Sequence, residues 1–230
     1  MTHRLALIIA AGGRSTRIGA KLRKPLIPVG GEPILCHTLR RFQGLDGLHQ
    51  VTIVVHPDDV QRVTSTYWPR LRQLGATHLA AGGARRQDSV AAGLAMLRSD
   101  VEIVLIHDAV RPFVPREAIE ASVQAAAEHG AAVVGMPVAD TLKRVRAETA
   151  VETVPRGDLW GAQTPQVFRL DLIRRAFDAA ARDGFECTDD AQLVERLGIP
   201  VRLVAGSPEN FKITTAKHLR MAEAMLASGA

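Results

Sequence analysis

Most of the β-rich runs in this chain are apolar from end to end, and that property limits what it can fold into. They fall at residues 5–11 (LALIIAA), 51–56 (VTIVVH), 77–81, 102–107 (EIVLIH), 131–138 and 201–205. A strand with one face in water alternates apolar and polar side chains. A continuous run implies burial on both faces, as in a parallel sheet covered by helices. Helical patterns lie between the runs, opened by Pro33, Pro57, Gln87, Pro115, Asp171, Thr188 and Thr215. The prolines suit the first turn of a helix, where a missing N–H costs little. Strand and helix in alternation predict an α/β fold built on one doubly wound, mostly parallel sheet. Ligands of such sheets sit at the carboxyl ends of the strands, so chemistry is expected in the loops that follow them.

Length and charge narrow the class. A chain of 230 residues can bury roughly 70% of its unfolded surface and needs no disulfide or metal staple. One domain over residues 1–230 is expected. Cys36 and Cys187 lie far apart with no C-x-x-C spacing, which supports neither a zinc module nor a disulfide framework and fits reduced thiols in a cytoplasmic protein. No apolar run approaches the ~18 residues of a membrane span. The net charge is 29 − 24 = +5, suited to a small polyanion such as a nucleoside triphosphate. Nucleic acid is disfavoured, because the basic residues are scattered and only one Tyr and two Trp are available for stacking. The stretch 140–155 (DTLKRVRAETAVETVP) alternates polar and β-branched residues and predicts a β-hairpin arm, spanning about 139–157. Such an arm has little core of its own and gains by packing on a second chain.

The strongest local signal is Ala10-Ala11-Gly12-Gly13-Arg14-Ser15-Thr16-Arg17, directly after the first strand. Glycines there let backbone N–H groups approach a phosphate. G-x-G-x-x-G fails because Arg14 holds the second glycine position, and G-x-x-x-x-G-K-[ST] fails as well. A dinucleotide-dependent redox enzyme and a P-loop NTPase are therefore disfavoured. Lys21, Arg23 and Lys24 follow the loop. Asp108 ends the run EIVLIH, where a carboxylate suits Mg²⁺ or caps the next turn. The adjacent His107 reads as a packed strand-end residue.

The run AAGGRSTRIGAKLRKPLIPVGGEPIL resembles the signature of nucleotidyltransferases. Gly82-Gly83 with Arg86-Gln87-Asp88-Ser89-Val90, His107-Asp108-Ala109-Val110-Arg111-Pro112, VADTLK at 138–143, LWGAQTPQVF at 159–168, Thr188-Asp189-Asp190 and Asn210-Phe211-Lys212-Ile213-Thr214 follow in order. Over essentially the whole chain this pattern is similar to the 2-C-methyl-D-erythritol 4-phosphate cytidylyltransferases. The resemblance implies a Rossmann-like nucleotidyltransferase fold, transfer of CMP from CTP to a polyol phosphate, and release of pyrophosphate. It also implies Mg²⁺ as cofactor and a homodimer joined through the arm.

By the same resemblance, Arg17 and Lys24 are the catalytic cations, on the α- and β-phosphates. Ala10, Ala11, Gly12, Gly13, Gly82, Arg86, Ser89, Asp108 and Ala109 hold the nucleotide, and Asp108 supports the metal. Asp108, Arg111, Thr141, Arg156, Thr164, Thr188 and Lys212 hold the second substrate. The family reads G-x-G-x-R in the first loop and P-K-Q after it. Here the loop is one residue longer and the lysine lies in Arg23-Lys24-Pro25-Leu26. Arg14 and Arg17 therefore both stand as candidates for the essential arginine, with Arg17 favoured by the apolar Ile18 that follows it. Two rivals remain open: a ribitol-5-phosphate cytidylyltransferase on the same scaffold, and a non-catalytic nucleotide-binding module, since fold does not fix function. Arg17→Met is expected to lower kcat by ~10²–10³ with the fold intact. Near-normal turnover in Arg17→Met, with loss in Arg14→Met, would move the role to Arg14.

Overall fold

The computed structural model describes residues 3–13 and 22–229. The strands are β1 (Leu5–Ala11), the short β2 (Pro28–Val29) and β3 (Glu32–Pro33), β4 (Leu48–Val55), β5 (His78–Ala81), β6 (Ile103–Asp108), β7 (Ala131–Pro137), β8 (Leu142–Arg146), β9 (Thr149–Val154), β10 (Trp160–Arg169) and β11 (Arg202–Ala205). The helices are α1 (Ile34–Arg40), α2 (Val60–Arg62), α3 (Trp68–Gln73), α4 (Arg86–Ala95), α5 (Arg116–His129), α6 (Leu170–Asp183), α7 (Ala191–Glu195) and α8 (Ala216–Ala227). A π-helical turn, Val63–Tyr67, joins α2 to α3.

Seven strands form one sheet in the order β11-β7-β10-β6-β1-β4-β5. β1 runs parallel to β4 and β6, β5 parallel to β4, and β11 parallel to β7. β10 alone is antiparallel, wedged between β6 and β7. The expected mostly parallel, helix-covered sheet is therefore present. The sequence reading assigned no strand to β10, and the reason is local. Its first residues, Trp160–Ala162, are exposed, Pro165 interrupts it, and its pairing with β7 shifts register between Ala162 and Gln166. Proline within a run argues against a central strand unless a bulge accommodates it.

β1 explains the unbroken apolar runs. Leu5, Leu7, Ile9 and Ala11 join the core on one face with Leu39, Phe42, Ile53 and Leu105. Ala6 and Ile8 join the other, with Val54, Val104, Ile106 and Phe168. Successive side chains point to opposite faces, and here both faces are covered. Pro33 and Pro115 stand one residue before α1 and α5 rather than inside them. Pro57 heads the 3-10 turn Pro57–Asp59. Thr215 caps α8, its hydroxyl accepting from His218 N at 3.2 Å.

The segment read as an arm is a hairpin of β8 and β9, which among the described residues pair only with each other, in their own two-stranded sheet. Its tip places Ala147 at φ +44° and Glu148 at φ +63°, a left-handed pair that glycine or asparagine normally fills. Val145 and Val151 on the arm are 57% and 52% exposed.

Gly93, in the last turn of α4, marks a close helix–sheet approach. A Cβ there would lie 2.7 Å from Ile8 Cγ2 and 3.2 Å from Val54 Cγ2. Glycine inside a helix costs roughly 1 kcal/mol relative to alanine, and here it permits the contact. Gly93→Val is expected to destabilise the fold by about 1–3 kcal/mol through overpacking, measured by urea unfolding. An unchanged midpoint would show that α4 stands further from β1.

Candidate active site

The strand order turns back at β1, with β4 on one side and β6 on the other, and the cleft opens at the carboxyl ends of β1 and β6. Ala10, Ala11, Gly12, Gly13, Lys24, Arg86, Ser89, Asp108 and Lys212 all line it. This is the position where open α/β sheets bind ligands. Arg17 and Arg14 lie outside the described residues.

Two glycine loops meet on one serine. Cβ atoms at Gly12 and Gly82 would fall 2.9 and 2.5 Å from Ser89 Oγ. The Ser89 hydroxyl accepts from Gly83 N at 3.2 Å and donates to Arg85 O at 3.1 Å. Ser89 thus ties the loop after β5 to the first turn of α4, against the loop after β1. Gly13 faces open space. Ala109, buried, donates its N–H to Ala10 O at 3.1 Å, joining the ends of β1 and β6.

Asp108 is the electrostatic centre. Its Oδ1 lies 3.2 Å from Arg86 Nε, and its Oδ2 lies 2.8 Å from Lys212 Nζ and 3.5 Å from Arg111 Nε. Burial alone would raise its pKa. The charges of Arg86 and Lys212 outweigh that and hold it well below the usual carboxylate range. Behind it, Arg86 Nη1 lies 2.7 Å from Oδ2 of the fully buried Asp190, at ion-pair distance but without hydrogen-bond alignment. Burial drives the Asp190 pKa up despite Arg86. Burial also opposes the charge of Arg86, yet Asp190 and Asp108 together keep its pKa above the ordinary value. For Arg111 burial prevails over Asp108 and lowers the pKa. Among the described residues, three cations stand against Asp108 and Asp190, an excess of positive charge that suits an anionic ligand.

A relay of neutral groups fixes the Asp108 backbone. Asp108 N–H donates to Thr164 Oγ1 at 3.1 Å, Thr164 Oγ1 meets His107 Nδ1 at 3.0 Å, and His107 Nε2 meets Arg111 O at 3.0 Å. Since Arg111 O can only accept, His107 carries its proton on Nε2, and the Thr164 hydroxyl donates to Nδ1. Protonating Nδ1 would break this chain. Burial pushes the His107 pKa down to about 4. Asn210, also fully buried, donates to Thr164 O and Gln163 Oε1 at 2.9 Å, while Arg111 Nη1 donates to Asn210 O at 2.6 Å. These bonds hold the segment that delivers Lys212.

The structure thus gathers Ala10, Ala11, Gly12, Gly13, Gly82, Lys24, Arg86, Ser89, Asp108, Ala109, Arg111, Thr164 and Lys212 in and around one cleft. Thr188 is exposed ahead of α7, with N and Oγ1 directed at Gln192 Oε1. Thr141 and Arg156 are exposed at the base of the arm. The sequence reading gave no role to Asp190 or Asn210, and it took His107 only as a packed residue. Both Asp190 and Asn210 stood in recognisable motifs, but what they bind is a tertiary matter. Among the described residues no group of three or more His, Cys, Asp or Glu side chains is arranged to hold a metal ion.

A glycine loop and a cationic cleft at the switch point of a doubly wound sheet define a nucleotide-binding α/β protein. The sequence model of the 2-C-methyl-D-erythritol 4-phosphate cytidylyltransferase family matches residues 5–228. The 2-C-methyl-D-erythritol 4-phosphate cytidylyltransferase of Halalkalibacterium halodurans is 44% identical over 222 residues, covering 96% of each chain. That of Symbiobacterium thermophilum is 42% identical over 223 residues, covering 96% of this chain and 92% of its own. The crystal structure of the cytidylyltransferase from Thermus thermophilus superposes with a TM-score of 0.80 at 37% identity, over 98% of this chain and 99% of that one. The chain belongs to the 2-C-methyl-D-erythritol 4-phosphate cytidylyltransferase family, and it is a cytidylyltransferase. No helix among the described residues is long and apolar enough to cross a membrane.

The neutral relay has a pH signature. Folded His107 takes its proton near pH 4 and an unfolded imidazole near 6.5. Between those values the unfolded chain binds more protons, so stability falls as pH drops through the window. Above 6.5 both states are neutral and the contribution is flat. His107→Gln is expected to flatten stability against pH between 6.5 and 4, read by urea unfolding at several pH values. An unchanged slope would show that His107 is not the titrating group.

Proposed function

We propose that this chain transfers CMP from CTP to 2-C-methyl-D-erythritol 4-phosphate, releasing pyrophosphate, in the non-mevalonate route to isoprenoids, and that it works as a homodimer with a divalent cation. The observation that carries the reading is Asp108 with its three cations, set beside the glycine loop at the end of β1. An oxygen of the substrate phosphate attacks the α-phosphorus of CTP, a new P–O bond forms, and the bond to the β-phosphate oxygen breaks. The attacking phosphate is already ionised at neutral pH, so no general base is required. Both partners are anions, and the protein's contribution is to neutralise their charge and hold them in line.

Backbone N–H groups of the loop after β1, with Lys24 and Arg17, take the triphosphate. Ala10, Gly82 and Ser89 face the base. Arg111, Thr188 and Lys212 take the polyol phosphate, with Asp108 accepting from its hydroxyls, while the Thr164 hydroxyl, already given to His107, serves the site by holding the Asp108 backbone. Lys212 is the most exposed cation on Asp108, at 42% against 28% for Arg86 and 12% for Arg111. It is the one free to exchange the carboxylate for a substrate phosphate. Both Asp108 oxygens face cations, so the carboxylate is poorly placed to ligate Mg²⁺ directly. The ion, which needs six oxygens and takes most from water and phosphate, would arrive on the triphosphate of CTP.

Thr141 and Arg156, on the arm, would complete the site of the partner chain. The exposed valines of the arm fit such an interface. Ribitol 5-phosphate is the competing substrate, and discrimination between the two polyols has to come from hydroxyl partners.

The test is pyrophosphate release across the four nucleoside triphosphates and both polyol phosphates. Turnover is expected with CTP and 2-C-methyl-D-erythritol 4-phosphate, and a ~10²–10³ loss of kcat in Lys24→Met. Lys24→Met and Arg156→Met chains, each inactive alone, are expected on co-expression to recover about a quarter of wild-type activity, because half the dimers are mixed and half their sites intact. Faster turnover with ribitol 5-phosphate would reassign the substrate. Absence of recovery in demonstrated mixed dimers would place the whole site in one chain.

A further inference from the structure

Lys24 reaches the cleft from the return limb of the glycine loop, and something has to fix that limb. Lys24 is 7% exposed and begins the 3-10 turn Lys24–Leu26. The turn is closed by Leu26 N donating to Arg23 O at 2.9 Å. The side chain of Arg23 points the other way, to the turn after β4. Its Nη2 donates to Asp58 Oδ2 at 2.7 Å, and its Nε lies 2.7 Å from Asp59 Oδ2, at ion-pair distance but without hydrogen-bond alignment. Asp59 is 15% and Arg23 24% exposed, so this pair is screened less than a surface pair. Asp58, at 72%, adds less. The carboxylates are themselves positioned: Asp58 N–H donates to His56 Nδ1 at 3.2 Å and Asp59 N–H to His56 O at 2.9 Å. His56 directly follows the last residue of β4.

We propose that Arg23 is a positioning residue for Lys24: clasped by Asp58 and Asp59, it anchors the return limb of the phosphate loop to the end of β4 and so aims the Lys24 ammonium into the cleft. A lysine has a long flexible stem, and a charge held on such a stem neutralises a phosphate only as well as its backbone is fixed. The clasp supplies that fixation at the residue just before Lys24. It also gives a physical content to the Arg-Lys-Pro-Leu order at this point of the chain.

The inference rests on the reading of Lys24 as a triphosphate contact, and the experiment separates the two. Pyrophosphate release by the full chain is measured with Mg²⁺, CTP and 2-C-methyl-D-erythritol 4-phosphate, in single turnover so that weak activities are resolved. Arg23→Gln is expected to lower the rate about 10- to 100-fold, the scale on which a misplaced group acts. The double variant Asp58→Asn/Asp59→Asn is expected to do the same from the other side of the clasp. Arg23→Lys, which keeps the cation, is expected to recover part of the loss. In a Lys24→Met background, Arg23→Gln is expected to cost nothing further, because residues that act as a unit are not additive. An equal loss in both backgrounds overturns the proposal, as a general weakening of the fold would produce it. A wild-type rate in Arg23→Gln, with Lys24→Met impaired, overturns it and leaves the proposed function standing. A wild-type rate in Lys24→Met overturns both the aiming role and the contact it serves.

Discussion

Asp108 stays ionised in a nearly water-free position because three cations reach it, and they come from three separate parts of the chain. Arg86 stands at the start of α4, Arg111 in the turn after β6, and Lys212 in the segment after β11. A buried charge without partners is costly, and removing one partner strands the rest. The carboxylate therefore acts as a constraint on all three segments. β6 must end where it does, α4 must begin beside it, and the far edge of the sheet must send its connection back across the cleft. Asp190 extends the constraint inward, since Arg86 is divided between two carboxylates and is not free to collapse onto one.

The apolar half of this architecture was legible in the residues. Runs such as 51–56 and 102–107 correspond to β4 and β6 within a few positions, because a strand buried on both faces has to be apolar throughout. β10 was not legible, because its exposed start and its proline do not resemble a core strand. The site divides in the same way. Gly12, Gly13 and Asp108 could be read from their places directly after strands. The pairing of Arg86 with Asp190, the use of Asn210 and the tautomer of His107 could not. Each depends on which buried polar group meets which, and a sequence does not state that. Ser89 illustrates the boundary: its position at the start of a helix is local, whereas the two glycines that make room for it lie 77 and 7 residues away.

The polar interior is thereby divided into two kinds of contact. Around Asp108 the contacts are ionic, and the outermost of them, to Lys212, is exposed enough to exchange. Around Thr164 they are neutral and buried, and run through His107 and Asn210. A site that must accept two anions benefits from this separation. The charges that meet substrate can rearrange while the backbone carrying them is held by groups that do not ionise near neutral pH.

The antiparallel course of β10 has a consequence for how this chain can change length. Pro137 at the end of β7 pairs with Trp160 at the start of β10, and Val138 N–H donates to Leu159 O at 3.0 Å. Everything between them leaves and re-enters the sheet at neighbouring rungs of one ladder. Doubling the length of such a closed excursion costs only about 0.6 kcal/mol in chain entropy. Between Thr141 and Arg156 the arm can therefore be shortened or extended as a cassette, with both of its ends remaining beside the carboxyl end of β7.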